Sequence, residues 1–426
     1  MSRLLLPKMS SNQSSILRVS PMKDIVLRWN VRKSSFCLMI AAVIFSFSIS
    51  TPQAKACPFC SGPQLTLSEQ IAQTDAAVIA EWVSGVKPDF DAGTAGSTVY
   101  RIKNVINSPS TPKLEQKQEI TVDGYYPGDA ESSVLILSTL DGELSWMSPL
   151  DISDAGYDYV KNAPSPEDDP GKRLAYFLTY LESNDPLLAD DAYAEFANAP
   201  YKTIVSIKDQ FPREKIRQWV FSDETSVTRI GLYGLMIGLC GNEEDKKLLE
   251  EKVVANDVEF RLGIDGIMAG YLILAGEAGL AILEDAKLKP SLESPSKVPF
   301  SETFATLQSI KFMWEYGGNR ISKERLRGSQ RILLENSSLA DLVIIDLARW
   351  QDWSIIGQLK DMYGQEPYDV PAIKRSIVGY LIQCVKQKPT EEGKPVPEFV
   401  TQAEEFLAEL EVSDPKTVKV ARLLFR

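Results

Sequence analysis

The sequence predicts an α+β chain in two parts, a small five-stranded β-barrel over residues 57–153 followed by an all-α stack of paired helices over 173–426. Three observations predict it. Apolar residues recur with a period of two between residues 75 and 150, they recur with a helical period beyond 173, and one eight-residue block repeats inside the helical part.

Ahead of both parts lies a segment of another kind. The stretch "RWNVRKSSFCLMIAAVIFSFSISTPQAKA" opens with Arg28, Arg32 and Lys33, runs apolar from Phe36 to Ile49 and closes on Ala54-Lys55-Ala56, the pattern of an export signal cut before Cys57. The apolar run is shorter than the roughly 18–20 residues that cross a bilayer. Residues 1–56 are therefore expected to be a signal peptide, with retention as an anchor through residues 36–50 as the alternative. Met22 offers a second start, because "MKDIVLRWNVRKSSF" is a basic lead by itself. These features predict an exported protein of the periplasm or cell envelope, attached to a membrane only through the signal segment or a lipid on Cys57.

Charge narrows the partners. The chain carries a net −12, and residues 1–56 hold eight basic and one acidic side chain, so the remainder has 38 basic against 57 acidic groups and a net −19. Such a surface repels phosphates, and no basic cluster beyond the export lead offsets it, which argues against nucleic acid and anionic lipid as partners.

Leu65, Leu67, Ile71 and Ala72 suit one short helix. The strands follow as "DAAVIAEWV" (75–83), "TVYRIKNVI" (98–106), "KQEITVDGYY" (117–126), "SVLILSTL" (133–140) and "ELSWMSPL" (143–150), with Asp141-Gly142 as a hairpin turn between the last two. Residues 154–172, with the run "NAPSPEDDPGKR" (162–173), are expected to be a linker. In the helical part "RIGLYGLM" (229–236) and "RLGIDGIM" (261–268) match as Arg-apolar-Gly-apolar-x-Gly-apolar-Met, thirty-two positions apart, the mark of stacked helical pairs. The stretch "KLKPSLESPSKVPFS" (287–301) reads as a loop between two stacks.

Cysteines ahead of a short helix, then "DAAVIAEWV" leading into five strands, resemble the netrin-like or tissue-inhibitor-of-metalloproteinase-like version of the OB fold, over residues 57–153. That resemblance implies a five-stranded barrel and, through an amino-terminal cysteine that caps a protease zinc, an inhibitor. Here the two cysteines are separated by two residues rather than one, and residues 61–239 hold no further cysteine. The helical part resembles HEAT-like repeats, which implies a curved solenoid with an extended binding face. The whole is similar to exported bacterial proteins that carry a Cys-Pro-Phe-Cys start before a helical region.

The chain contains no histidine, which excludes imidazole-dependent triads, the HExxH metalloprotease and heme attachment. No glycine-rich phosphate cradle occurs either. Cys57 and Cys60, in "KACPFCSGPQ", admit four uses: a redox pair, half of a zinc site, a lipid anchor, or a disulfide that fixes the loop. A redox Cys-x-x-Cys usually follows a buried strand, and none precedes Cys57 once the signal is cut. Zinc would draw on Cys240 and Cys384, each alone in an apolar helical context. Ala54 and Lys55 fit a lipoprotein signal poorly. An oxidising compartment favours the disulfide.

Trp350 and Trp353 offer either a stacking platform or interhelical packing. Arg229 and Arg261, at matching repeat positions, are either rungs within the stack or a binding ladder. Asp190-Asp191 lies within a helix, where adjacent side chains diverge. No metal and no cofactor is expected. The sequence thus predicts an exported, non-enzymatic binding or scaffold protein whose partner is an unidentified protein or envelope component. A thiol–disulfide redox protein and a protease-inhibitor-like barrel are the alternatives.

Overall fold

The computed structural model describes residues 56–425 apart from 61, 63, 90, 92, 130–131, 256–260, 295–296 and 392–393. The expected signal over 1–56, including the run at 36–50, lies outside the described residues save for Ala56. Thr66 starts α1 (Leu67–Gln73) with a capping box, its hydroxyl accepting from Glu69 N while the Glu69 carboxylate accepts from Thr66 N. Six strands follow: β1 (Ala76–Val86), β2 (Ser97–Asn107), β3 (Glu119–Asp123), β4 (Ser133–Asp141), β5 (Glu143–Trp146) and β6 (Leu150–Ile152).

All of the ladders are antiparallel, in the order β3-β2-β1-β4-β5, with β6 also on β4. The fifth expected strand is thus two short ones that lie end to end along β4. β5 pairs with Ser138–Asp141 and β6 with Ser133–Leu135. Pro149, which has no N–H to donate, falls in the gap between them. β3 and the β5–β6 row remain as edges, so the described sheet is open rather than the closed barrel expected.

β1 is buried continuously from Ala76 to Ala80 because both faces of the sheet are covered. Val78, Ala80, Tyr100, Ile102, Val134 and Ile136 form the sheet's own small core. On the opposite face Ile79 and Leu135 join Leu67, Ile152 and the helices in one larger core. The two parts therefore share a hydrophobic interior, and the described residues form one compact unit.

The helices are α2 (Asp154–Asn162), α3 (Pro170–Leu178), α4 (Pro186–Asn198), α5 (Tyr201–Ser206), α6 (Arg213–Phe221), α7 (Ile230–Cys240), α8 (Glu243–Val254), α9 (Ile264–Leu283), α10 (Lys289–Glu293), α11 (Phe300–Tyr316), α12 (Lys323–Ile332), α13 (Ala340–Arg349), α14 (Ile356–Met362), α15 (Pro371–Val385), α16 (Glu398–Ser413) and α17 (Pro415–Leu424). Asp169, Asp185 and Asp414 cap α3, α4 and α17, each directly before a proline in the first turn. The expected linker over 154–172 is instead largely helical. Ser153 caps α2, which buries Tyr159 and Val160. The loop expected over 287–301 also starts late. A π turn (Glu284–Leu288) and α10 carry the chain on to Glu293, because Leu288 and Lys287 are both buried.

The repeated block occupies the amino-terminal halves of α7 and α9, and there the helices meet backbone to backbone. A Cβ on Gly270 would fall on Gly234 O, one on Gly234 would lie 2.6 Å from Ile267 N, and one on Gly266 would strike Gly231. Residue numbers rise together along this contact, so α7 and α9 run parallel with α8 as the return between them. No side chain larger than hydrogen fits, which is why the glycines repeat.

Gly270→Ala is expected to cost about 3 kcal/mol or more, the upper range for overpacking, since the obstacle is backbone that cannot rotate aside. At the exposed Gly357 of α14, where a Cβ meets nothing within 4 Å, alanine should instead be neutral or stabilise by up to about 1 kcal/mol. Urea unfolding of both variants checks the contrast.

Candidate functional site

Cys57 and Cys60 form a disulfide with Cα atoms 5.5 Å apart. Cys57 is 6% exposed, and its N–H donates to Ala197 O at 3.0 Å. Between the sulfurs Phe59 turns into the helices. Its ring centroid lies 5.0 Å from that of Phe312, beside Tyr201 and Tyr316, and its carbonyl oxygen would stand 2.5 Å from a Cβ on Gly231. Phe59 thus seats the loop on the end of the α7–α9 seam. Attention to the sulfurs passes over it, although an apolar residue inside a small ring has few places to go but a core. Cys240 and Cys384 are free thiols, and burial pushes the first up to about 11 and the second up to about 12, against the thiolate that a metal needs.

Arg229 and Arg261 face inward. Arg229, 7% exposed, donates to Glu182 Oε1 at 2.9 Å and Asp190 Oδ1 at 2.6 Å. Arg261 grips Glu302 with two bonds of 2.8 and 2.7 Å and reaches Lys252 O at 2.6 Å. Lys287 approaches the same Glu302 at 3.2 Å. The motif recurs elsewhere: Asp245 binds Arg213 and Arg217, Glu284 binds Arg325, and Asp352 binds Arg331. The bonds of its guanidinium partners, winning against burial, hold each of these three carboxyls below the usual range. The two arginines offered as a binding surface are therefore rungs, because a buried guanidinium is tolerable only when paired.

Asp190 and Asp191 part company as their adjacency requires. Asp191 turns the other way, accepting from Leu67 N at 2.7 Å and from the Tyr159 hydroxyl at 2.6 Å. Beside it Glu195 accepts from Ser68 Oγ at 2.5 Å and from Arg173 at 2.6 Å. This buried polar group ties α1 to α2, α3 and α4.

The tryptophans also separate. Trp350 is buried, stacked on Trp314 at 4.2 Å and 8°. Helix α13 ends before the pair can share a face. Gln351 takes φ 56°, and Asp352 N returns to Leu347 O at 2.9 Å, a left-handed cap without glycine. Trp353 beyond the turn remains half-buried, edge-on to Tyr380 at 5.2 Å. It lines a cavity of about 400 Å³ together with Tyr380, Phe425, Arg349, Gln351 and Gln383. That size lies within the range of small-ligand sites. The lining supplies aromatic faces, amides and one guanidinium, and none of its residues is a carboxylate. Trp353 lines this cavity, whereas Cys57, Arg229, Arg261 and Trp350 are taken up by internal contacts, which makes this the candidate site.

Burial, opposed by the bonds from Tyr159 and Leu67, holds the Asp191 carboxyl up to about 6, against 3.8 for an ordinary aspartate. The folded state thus favours the protonated form, and the Asp191 contribution to stability is fullest below 3.8 and falls as pH rises to about 6. Asp191→Asn should remove that dependence, so the stability difference between wild type and variant should shift by roughly 3 kcal/mol across the window. Urea unfolding at either end of it measures the shift. Comparison of the chain with protein-family models, curated proteins and solved structures finds no match.

Proposed function

We propose that this chain is an exported, non-enzymatic binding or scaffold protein of the cell envelope, an OB-like sheet module joined to a HEAT-like helical stack, and that its partner engages the Trp353 cavity. The Trp353 cavity carries this reading: the buried arginines serve the stack, while an aromatic face and several amides line an opening to solvent. The parallel α7 and α9 with α8 between them support the solenoid description. The sheet order, with β1 shared between β2 and β4 and the Cα atoms of β3 and β5 approaching within 8 Å, supports the OB-like description of this open sheet.

The redox and inhibitor readings both need an accessible Cys57, and its burial and its bond to Ala197 weigh against them. Export rests on residues 1–56 and is decided by amino-terminal sequencing and intact mass of the chain recovered from cells.

Crosslinking in intact cells followed by affinity capture should recover one partner repeatedly. Trp353→Ala should cut that recovery about tenfold, as loss of an aromatic anchor does, in a chain whose circular dichroism shows it still folded. Repeated absence of a partner, or capture indifferent to Trp353, would sink the proposal.

A further inference from the structure

Helices α16 and α17 each pack on the chain with one side and leave the other open. α16 buries Val400, Ala403, Phe406, Leu407 and Leu410, whereas α17 buries only Val418 and Ala421. Outside them stands Val412, at 85% the most exposed large apolar side chain among the described residues. Val420, Leu423 and Leu424 are exposed with it, the two leucines at 59% and 64%. These three follow the i, i+3, i+4 spacing, so they form one stripe along α17. Beside the stripe a groove of about 420 Å³ runs between Glu411 of α16 and Pro415, Val418, Lys419, Arg422 and Leu423 of α17. A contiguous apolar stripe next to a groove is the form of a contact surface.

Charge on this face is sorted by helix. α16 carries Glu398, Glu404, Glu405, Glu409 and Glu411 and no lysine or arginine, whereas α17 carries Lys416, Lys419 and Arg422 and no acid. Pairing within the chain does not use all of it. Arg422 binds Glu411, Lys360 binds Glu409 and Lys388 binds Glu404. Lys416, Lys419 and Glu405 are exposed and engage no ion pair among the described residues.

That sorting selects the occupant. A uniformly acidic partner or an anionic lipid surface is attracted by α17 and repelled by α16, and a basic partner meets the reverse. A face with its acids on one helix and its bases on the next is matched by its own copy turned through half a rotation, which sets each α17 against the other α16 and satisfies both signs together. We propose that the chain forms a two-fold dimer through the α16–α17 face, with Val412, Val420, Leu423 and Leu424 at its centre and Lys416 and Lys419 of each copy opposite Glu405 of the other. An apolar centre with a charged rim is the common anatomy of such interfaces. The pairing does not depend on a ligand in the Trp353 cavity. Leu424 stands in the wall of that cavity, so Leu423 is the position to alter.

Sedimentation velocity of the purified chain over a range of concentrations tests it. A species of twice the chain mass is expected. Leu423→Glu should weaken its formation about tenfold or more, with an unchanged circular dichroism spectrum because Leu423 is exposed in the single chain. The charges give the sharper test. The variant Lys416→Glu, Lys419→Glu and the variant Glu405→Lys should each self-associate about tenfold more weakly, since like charges then meet across the axis. Mixed one to one, the two should pair about as tightly as wild type, because both contacts become attractive again. A monomer at every concentration overturns the inference, including one that cosediments with phosphatidylglycerol vesicles, which would give the face to lipid. So does a dimer indifferent to Leu423→Glu, or a mixture that pairs no better than its components.

Discussion

Helices α7 and α9 touch through backbone, and much of the molecule is arranged around that contact. Side chains normally hold helix axes 8–10 Å apart. Here Gly231, Gly234, Gly266 and Gly270 remove them, and peptide groups become the packing surface. The seam then has an open end at Gly231, and the disulfide-closed loop fills it with Phe59. The Phe59 ring continues to Phe312 on α11, which itself packs on α9. One close approach thus sets the path of the helices and the seat of the amino-terminal loop. The disulfide limits how far Cys57 and Cys60 can separate, which keeps Phe59 presented to that seat, a local task suited to so small a ring.

The repeat was legible because it is a packing constraint written as glycine, and a constraint of that kind leaves a spacing. The strands were legible for the same reason, since alternation reports a covered face. Segments 154–172 and 287–301 were misread on a shared ground. Asp, Ser and Pro mark helix starts as well as linkers, and only tertiary burial separates Ser153 as a cap, or Lys287 as a buried partner of Glu302, from solvated loop residues. Barrel closure was equally beyond the sequence. A periodicity of two specifies strands and faces but not whether the edges meet.

The candidate site divides in the same way. Trp350 and Trp353 lie three residues apart, which would put them on one helix face had α13 continued. The left-handed turn at Gln351 intervenes, and a glutamine in that conformation leaves no mark in the sequence as a glycine would. The matching positions of Arg229 and Arg261 leave a rung and a binding ladder both open in the sequence, and the acids that each meets decide for the rung. Their acids come from the turn after α3, from α4 and from α11, far away in sequence, and no local pattern announces them.

Interior pairing leaves the outer electrostatics acidic. Each rung withdraws a guanidinium together with the carboxylate it binds, so the net −19 of residues 57–426 is untouched by the pairing. Against that background two cavities differ in sign. The Trp353 cavity presents Arg349 and no carboxylate, whereas a second cavity, on the sheet beside Trp82 and Tyr100, presents Asp129, Asp151 and Asp154 and no cation. The second follows the surrounding field and the first opposes it, which composition alone would not produce. A ligand attracted by the field is steered to the sheet, and a ligand for the helical cavity must approach against it, so added salt should slow the first encounter and ease the second. The two openings are therefore suited to different chemistries, and the residues that line them set that difference.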